Sequence, residues 1–297
     1  MRPRRGGTLS GRPAMRCAAG ADDALADRLG EAIAAGALSL EYQPKIDLES
    51  GAIAGVEALA RWHEDELGPV SPATFVAVAE RHDLVDRLTD WLLREALAQW
   101  SAWEREGHQV GLALNLSAIS LRDPGLPDRL ERMCATEGVP PMFLTIEITE
   151  SATQELVPLL DTLTRIRLKG MGLALDDFGT GYSSLLQLRQ LPYSELKIDQ
   201  AFVREATISR ESRLIIKALI DLAHGMGLSA TAEGVEDFET LSLLREWGCD
   251  RAQGYLMSRP LRGPDLPSWI ARSCARWRPP CLGQPDRLGA LGPLTAG

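Results

Sequence analysis

Acidic and amide side chains recur along this chain at the ends of short apolar runs. Asn115 ends Leu-Ala-Leu-Asn-Leu-Ser, Glu147 and Glu150 lie in Glu-Ile-Thr-Glu, and Asp176 and Asp177 end Leu-Ala-Leu-Asp-Asp-Phe-Gly-Thr-Gly. Lys197 and Asp199 fall in Leu-Lys-Ile-Asp, Glu233 in Thr-Ala-Glu-Gly-Val-Glu, and earlier Glu57 in Gly-Val-Glu-Ala-Leu-Ala-Arg-Trp. Gathered in one pocket with Asn115, the carboxylates of Glu57, Glu147, Asp176, Asp177 and Glu233 would repel strongly, and some would hold their protons. Divalent cations remove that conflict, and oxygen-only donors suit Mg2+ or Mn2+. The adjacent pair Asp176 and Asp177 could help hold two ions close together, as in-line hydrolysis of a phosphodiester by a two-metal centre requires. Lys197 would add positive charge near the attacking water or the phosphate. Taken singly, an Asp at a strand end caps a helix and a buried Lys pairs with an acid. The whole series, at successive run ends, is much harder to explain that way. Gly179-Thr180-Gly181 lacks the lysine of a phosphate loop and opens no G-x-G-x-x-G helix, so it reads as a flexible loop beside the site.

Strands and helices must position such a series. Val110 to Asn115, Phe143 to Ile148, Gly172 to Leu175, Leu196 to Ile198 and Leu228 to Ala232 are short strand-like runs. Between them, Leu156, Leu159, Leu160, Leu163 and Ile166 follow one helical face, with Ser151 and Gln154 as a capping box and Gly170 as a stop. Leu214 to Leu222 is a second helix, closed by Gly225 and Gly227. Strand and helix in alternation imply a parallel sheet, open or closed into a barrel. A barrel would collect the strand C-terminal ends, and their polar residues, on one face.

The ends differ from the middle. Residues 1–20 hold five arginines, two prolines and no acid, and are expected to be a disordered basic leader in which Met15 is a candidate start. Residues 21–276 are expected to be one folded domain, and residues 277–297 a Pro/Gly-rich tail. The chain of 297 residues suits one large domain, and a barrel alone takes about 250. A formal net charge of −9 argues against a binder of long nucleic acid. No apolar run approaches the ~20 residues of a membrane span, and the leader has no apolar stretch of a signal peptide. Cys17, Cys134, Cys249, Cys274 and Cys281 have no metal-ligand spacing and read as reduced thiols of a cytoplasmic protein. His63, His82, His108 and His224 form no zinc motif.

The motifs together resemble the EAL family of cyclic di-GMP phosphodiesterases. Tyr42-Gln43-Pro44 precedes Glu57-Ala58-Leu59-Ala60-Arg61-Trp62; Asn115-Leu116-Ser117, Glu147-Ile148-Thr149-Glu150 and Asp176 to Ser184 follow. Lys197-Ile198-Asp199, Glu233-Gly234-Val235-Glu236, Gln253-Gly254-Tyr255 and Pro260-Leu261 complete the order, and the resemblance covers roughly Leu29 to Arg272. It implies a TIM-like (β/α)8 barrel with the first strand antiparallel. It implies hydrolysis of cyclic di-GMP to linear 5′-pGpG with two Mg2+ or Mn2+ ions. Glu57, Asn115, Glu147 and Asp176 would bind one ion, and Asp176, Asp177 and Glu233 would bind or border the second. Lys197 would orient the nucleophilic water, in a catalytic set with Glu57, Asp177 and Glu233. Gln43, Arg61, Asp199, Glu236 and Gln253 would position substrate or brace the site, and Glu150 would anchor the loop from Asp177 to Ser184. Relatives commonly dimerise beside that loop, so a homodimer is a further expectation. The alternative is a catalytically silent cyclic di-GMP receptor acting through a protein partner; the presence of every ligand favours the enzyme. No Gly-Gly-Asp-Glu-Phe cyclase motif or sensory domain is seen, so the regulatory input is unread.

Overall fold

Period-two alternation of aliphatic and polar residues builds the centre of this protein. The computed structural model describes residues 14–149, 156–179, 185–273 and 277. A helix α1 (Ala14–Ala35) leads into a long hairpin of β1 (Leu38–Asp47) and β2 (Ile53–Glu64), then a short β3 (Gly68–Val70). Helices α2 (Pro72–Arg81) and α3 (Val85–Arg105) precede β4 (Gly111–Asn115), and α4 (Ala118–Leu121) and α5 (Leu126–Glu137) precede β5 (Leu144–Thr149). Next come α6 (Leu156–Leu168), β6 (Gly172–Phe178), α7 (Leu185–Gln190), β7 (Glu195–Ile198), α8 (Gln200–Val203), α9 (Arg210–Gly225) and β8 (Ser229–Ala232). The chain ends its regular structure with α10 (Phe238–Glu246), β9 (Arg251–Gln253), β10 (Leu261–Arg262) and α11 (Leu266–Ser273).

Eight strands close into a barrel in the order β1-β9-β8-β7-β6-β5-β4-β2, with β2 pairing back onto β1. β1 runs antiparallel to both β2 and β9, whereas the pairs from β2 through β4 to β9 are parallel. The barrel with an antiparallel first strand is therefore the architecture expected. β3 and β10 are short additions at its edge.

Outward positions are aliphatic: Leu112, Leu114, Ile146, Ile148, Leu173, Leu175, Leu196 and Ile198 are all buried under the helices. α3 shows the other half of that interface. Its Leu88, Trp91, Leu92, Ala96, Trp100 and Trp103 form one buried stripe, and Trp103 meets Tyr42 of β1 edge-on at 4.7 Å. The helices start where side chains cap them, as Ser71 does for α2, Ser209 for α9 and Asp237 for α10. Inward positions are polar or small, unlike the branched aliphatics that commonly fill such barrels. Ion pairs between strands that are not neighbours, Lys45 to Glu147, Lys197 to Glu57 and Arg251 to Glu195, cross the interior.

Both ends depart from the expectation. α1 begins at Ala14, so residues 14–20 are helical, in keeping with their Ala, Met and Arg content. Trp277, placed in the tail by composition, is 2% exposed and stacks on Phe238 at 6.1 Å between centroids. A single indole outweighs the Pro/Gly-rich context because it brings a large apolar area to cover. The capping box at Ser151 and Gln154 lies outside the described residues. Among the described helices, none is long and apolar enough to cross a membrane.

Candidate active site

Asn115, Glu147 and Asp176 sit at inward positions near the C-terminal ends of their strands, whereas Glu57 lies mid-way along the longer β2. Glu57 comes from β2, Asn115 from β4, Glu147 from β5 and Asp176 from β6; Lys197 comes from β7, and Glu233 follows β8 directly. Adjacent strands bring Asn115 opposite Glu147 and set Gln43 of β1 opposite Glu57. Asp176 and Asp177 are consecutive, and regular pleating would send them to opposite faces. The register shift between β6 and β7 at Leu175 to Phe178 prevents that. Asp177 adopts φ 56°, a left-handed conformation rare for a side chain other than glycine, and its N–H donates to Asp176 Oδ1 at 3.0 Å. One oxygen from each of Asp176, Asp177 and Glu233 then lies within 4.8 Å of the others.

Lys197 occupies the centre. Its Nζ is 2.7 Å from Glu147 Oε2, 2.7 Å from Glu233 Oε1, 3.0 Å from Asp176 Oδ1 and 3.6 Å from Glu57 Oε2. Burial works against this charge, but the four carboxylates outweigh it and hold the lysine well above its ordinary pKa. Glu57 is oriented from two sides: Asn115 Nδ2 donates to Oε1 at 2.7 Å and Gln253 Nε2 to Oε2 at 2.8 Å. Donation through its nitrogen leaves the Asn115 amide oxygen as the atom suited to a cation.

The carboxyls pay no uniform penalty for crowding. Burial raises Glu57, and the charge of Glu147 raises it further. Burial pushes Glu233 up to about 8 against the pull of Lys197, and burial with the Asp176 charge raises Asp177 to about 6. Glu147 goes the other way: burial disfavours its charge, yet Lys197 and Lys45 together bring it down to about 2. Five carboxyls thus face two ammonium groups, and the excess negative charge is what divalent cations would neutralise. The donor set fits Mg2+ or Mn2+ on chemical grounds.

A pocket of about 200 Å3 opens above this cluster, lined by Gln43, Glu57, Glu233, Glu236, Gln253, Tyr255, Gln200 and Arg204 among others. Its floor is tight. A Cβ on Gly254 would fall 2.1 Å from the Val235 carbonyl oxygen, so only glycine lets the segments after β8 and β9 close under the pocket. Gln43 is held by Gln253 Nε2 at 3.0 Å and donates to the Ser258 carbonyl at 3.2 Å. Glu236 pairs with Arg204 at 2.9 Å. Asp199 caps α8 through the Ala201 N–H at 2.7 Å and also faces Asp177. Arg61 stands apart: it pairs with Glu41 at 2.7 Å and borders a second, apolar cavity of about 180 Å3 beside Asn115. Glu150 and residues 180–184 of the loop lie outside the described residues.

Sequence reasoning missed Lys45, Glu195 and Arg204. The first two share an inward parity with Gln43 and Lys197 on their own strands, a signal that alternation alone contains. Arg204 follows α8 in a loop and carries no pattern.

Residues 26–260 match the EAL domain family. The chain belongs to that family. Among curated relatives, this EAL domain is 42% identical over 234 residues to the cyclic di-GMP phosphodiesterase PA2567 of Pseudomonas aeruginosa, covering 78% of this chain and 40% of that protein. It is 37% identical over 245 residues to the oxygen sensor protein DosP of Escherichia coli, covering 82% and 31%. The chain thus spans well under half the length of these relatives. Among solved structures, the PaMucR phosphodiesterase in complex with c-di-GMP superposes with a TM-score of 0.77 at 36% identity, covering 82% of this chain and 99% of that one.

Proposed function

We propose that this EAL domain hydrolyses cyclic di-GMP to linear 5′-pGpG with two Mg2+ or Mn2+ ions. The observation that carries the reading is the set of five carboxyls and one amide around a buried ammonium, at the base of an open pocket. Glu57, Asn115, Glu147 and Asp176 would hold one ion, and Asp176, Asp177 and Glu233 the second. Bound there, the ions supply an activated water and stabilise charge on the scissile phosphate.

The chain's own residues do the rest. Lys197 stays charged and puts a fixed cation beside the attacking water. Gln253 and Asn115 lock the Glu57 carboxylate. Gln43, Glu236 and Arg204 line the approach, in a pocket of about 200 Å3. The PaMucR complex with c-di-GMP and the named phosphodiesterase relative support this choice of substrate. Pairing of two copies beside the Asp177 loop belongs to the same proposal, as does a single independent domain, its C-terminal limit moved from residue 276 to Trp277.

Chromatography of products from cyclic di-GMP with Mg2+, with EDTA, and with Glu57→Ala tests it. The expected result is 5′-pGpG only with metal and only from the unaltered protein. Tight nucleotide binding without any product would replace the enzyme by a receptor, and equal turnover in EDTA would remove the metal.

A further inference from the structure

Glu147 is held by two lysines, one on each oxygen. Lys197 takes Oε2 at 2.7 Å, and Lys45 reaches across the barrel from β1 to take Oε1 at 2.5 Å. The Lys45 side chain is 5% exposed and that of Glu147 0%. Below them, Glu195 Oε1 lies 3.8 Å from Lys45 Nζ. Glu195 is itself fixed, accepting from Thr231 Oγ1 at 2.6 Å and from Arg251 Nη1 at 2.9 Å. Gly55 and Gly111 clear the wall beside this layer: a Cβ on Gly55 would sit 2.8 Å from the Gly111 carbonyl oxygen. A cavity of about 30 Å3 is left there, lined by Lys45, Glu195 and Arg251 among others.

The two lysines have different freedom. Lys197 is shared among four carboxylates in the layer that lies under the pocket. Lys45 lies one layer lower, and its ion-pair partners are Glu147 and Glu195. We propose that Lys45 is a positioning residue: it ties down Glu147 Oε1 and so fixes the carboxylate's orientation, with Oε2, the oxygen Lys197 also contacts, turned to the cation site, and Glu195 with Arg251 and Thr231 braces it from beneath. This rests on the reading of Glu147 as a cation ligand. Charge alone gives the opposite sign, because removing a positive group beside a cation site makes the site more negative and binding tighter. Positioning gives a loss. Without Lys45, Glu147 turns both oxygens to Lys197 and fixes that ammonium among the carboxylates the ion needs.

Mn2+ titration by calorimetry, with no nucleotide present, separates the two. Lys45→Met is expected to weaken Mn2+ about 10- to 100-fold, the usual cost of losing a group that orients a metal ligand. Lys45→Arg, which can still donate to Oε1, should recover most of that loss. Glu195→Gln keeps the ammonium but loosens its brace, and should weaken Mn2+ less than Lys45→Met does. Binding by Lys45→Met as tight as that of the unaltered protein, or tighter, overturns the proposal. Should Lys45→Met fail to fold, an unchanged Mn2+ affinity in Glu195→Gln overturns it instead. Absence of Mn2+ binding by the unaltered protein would overturn the metal-site reading itself, a separate and earlier failure.

Discussion

Lys197 Nζ lies 2.7 Å from Glu233 Oε1, and the same ammonium is shared with Glu147, Asp176 and Glu57. In the metal-free protein this lysine is the main counter-ion of the cluster. Lys197→Met should therefore do more than remove turnover. Breaking a buried pair by losing one partner costs about 3–5 kcal/mol. At ~2–4 °C per kcal/mol for a domain of this size, metal-free Lys197→Met should melt roughly 6–20 °C lower. Mg2+ should narrow that gap while turnover stays lost. Equal melting of variant and parent in EDTA would show that the carboxylates need no internal cation.

The raised carboxyls give the metal-free protein a definite pH dependence. Glu233 titrates at about 8 and Asp177 at about 6, against ordinary values of 4.5 and 3.8. Folded-state values above unfolded ones mean that the folded state binds protons more tightly. Their contribution is complete below about pH 4 and is lost as pH rises through 6 and then 8. Melting temperature in EDTA should fall between pH 5 and about pH 8.5, and Mg2+ should flatten the curve and release protons on binding. Scanning calorimetry across that range, with and without Mg2+, checks the sign. A flat EDTA curve would mean that the cluster is not strained by its own charge.

Arg204 is the only cationic side chain lining the main pocket among the described residues. Its pair with Glu236 is about half exposed, so it adds little to stability. Arg204→Ala should raise KM for cyclic di-GMP by roughly 10- to 150-fold, the scale of one charge-assisted contact to phosphate worth about 1.5–3 kcal/mol. kcat and Tm should move little. A lower Tm with unaltered KM would assign Arg204 to the fold instead.

Trp277 marks a sharper C-terminal limit than composition does. It is buried, stacks on Phe238, and its carbonyl oxygen accepts from Arg245 Nη2. Trp277→Ala should cost about 3–5 kcal/mol. Removal of residues 278–297 should leave Tm unchanged, whereas removal of 277–297 should reproduce the loss seen with Trp277→Ala. Urea unfolding of the three proteins tells these apart, and identical stability in all would place Trp277 outside the core.

The strands that carry the site were legible because their outward residues are aliphatic and their ends polar. Leu112, Leu114, Ile146 and Ile148 mark β4 and β5 as surely in the sequence as in the barrel. The helix from Leu156 to Ile166 was legible for the same reason, and it ends at Leu168 just before Gly170. The start of α1 at Ala14 lay outside the expected domain although Ala, Met and Arg favour a helix, and Trp277 was misjudged because local composition was weighed without the surface that receives its indole.

Residue type and order alone determined the fold class and the set of groups that meet at the strand ends. They did so because a parallel barrel turns sequence periodicity into a shared face. The sequence could not show that Asp176 and Asp177 point the same way, since that depends on a register shift and a left-handed Asp177. Nor could it show that Lys45 and Lys197 divide the two oxygens of Glu147, because β1, β5 and β7 meet only across a closed barrel. Distance across that interior is set by closure, and the strength of a charge there by burial. Both are properties of the tertiary structure, and neither is written in any one strand.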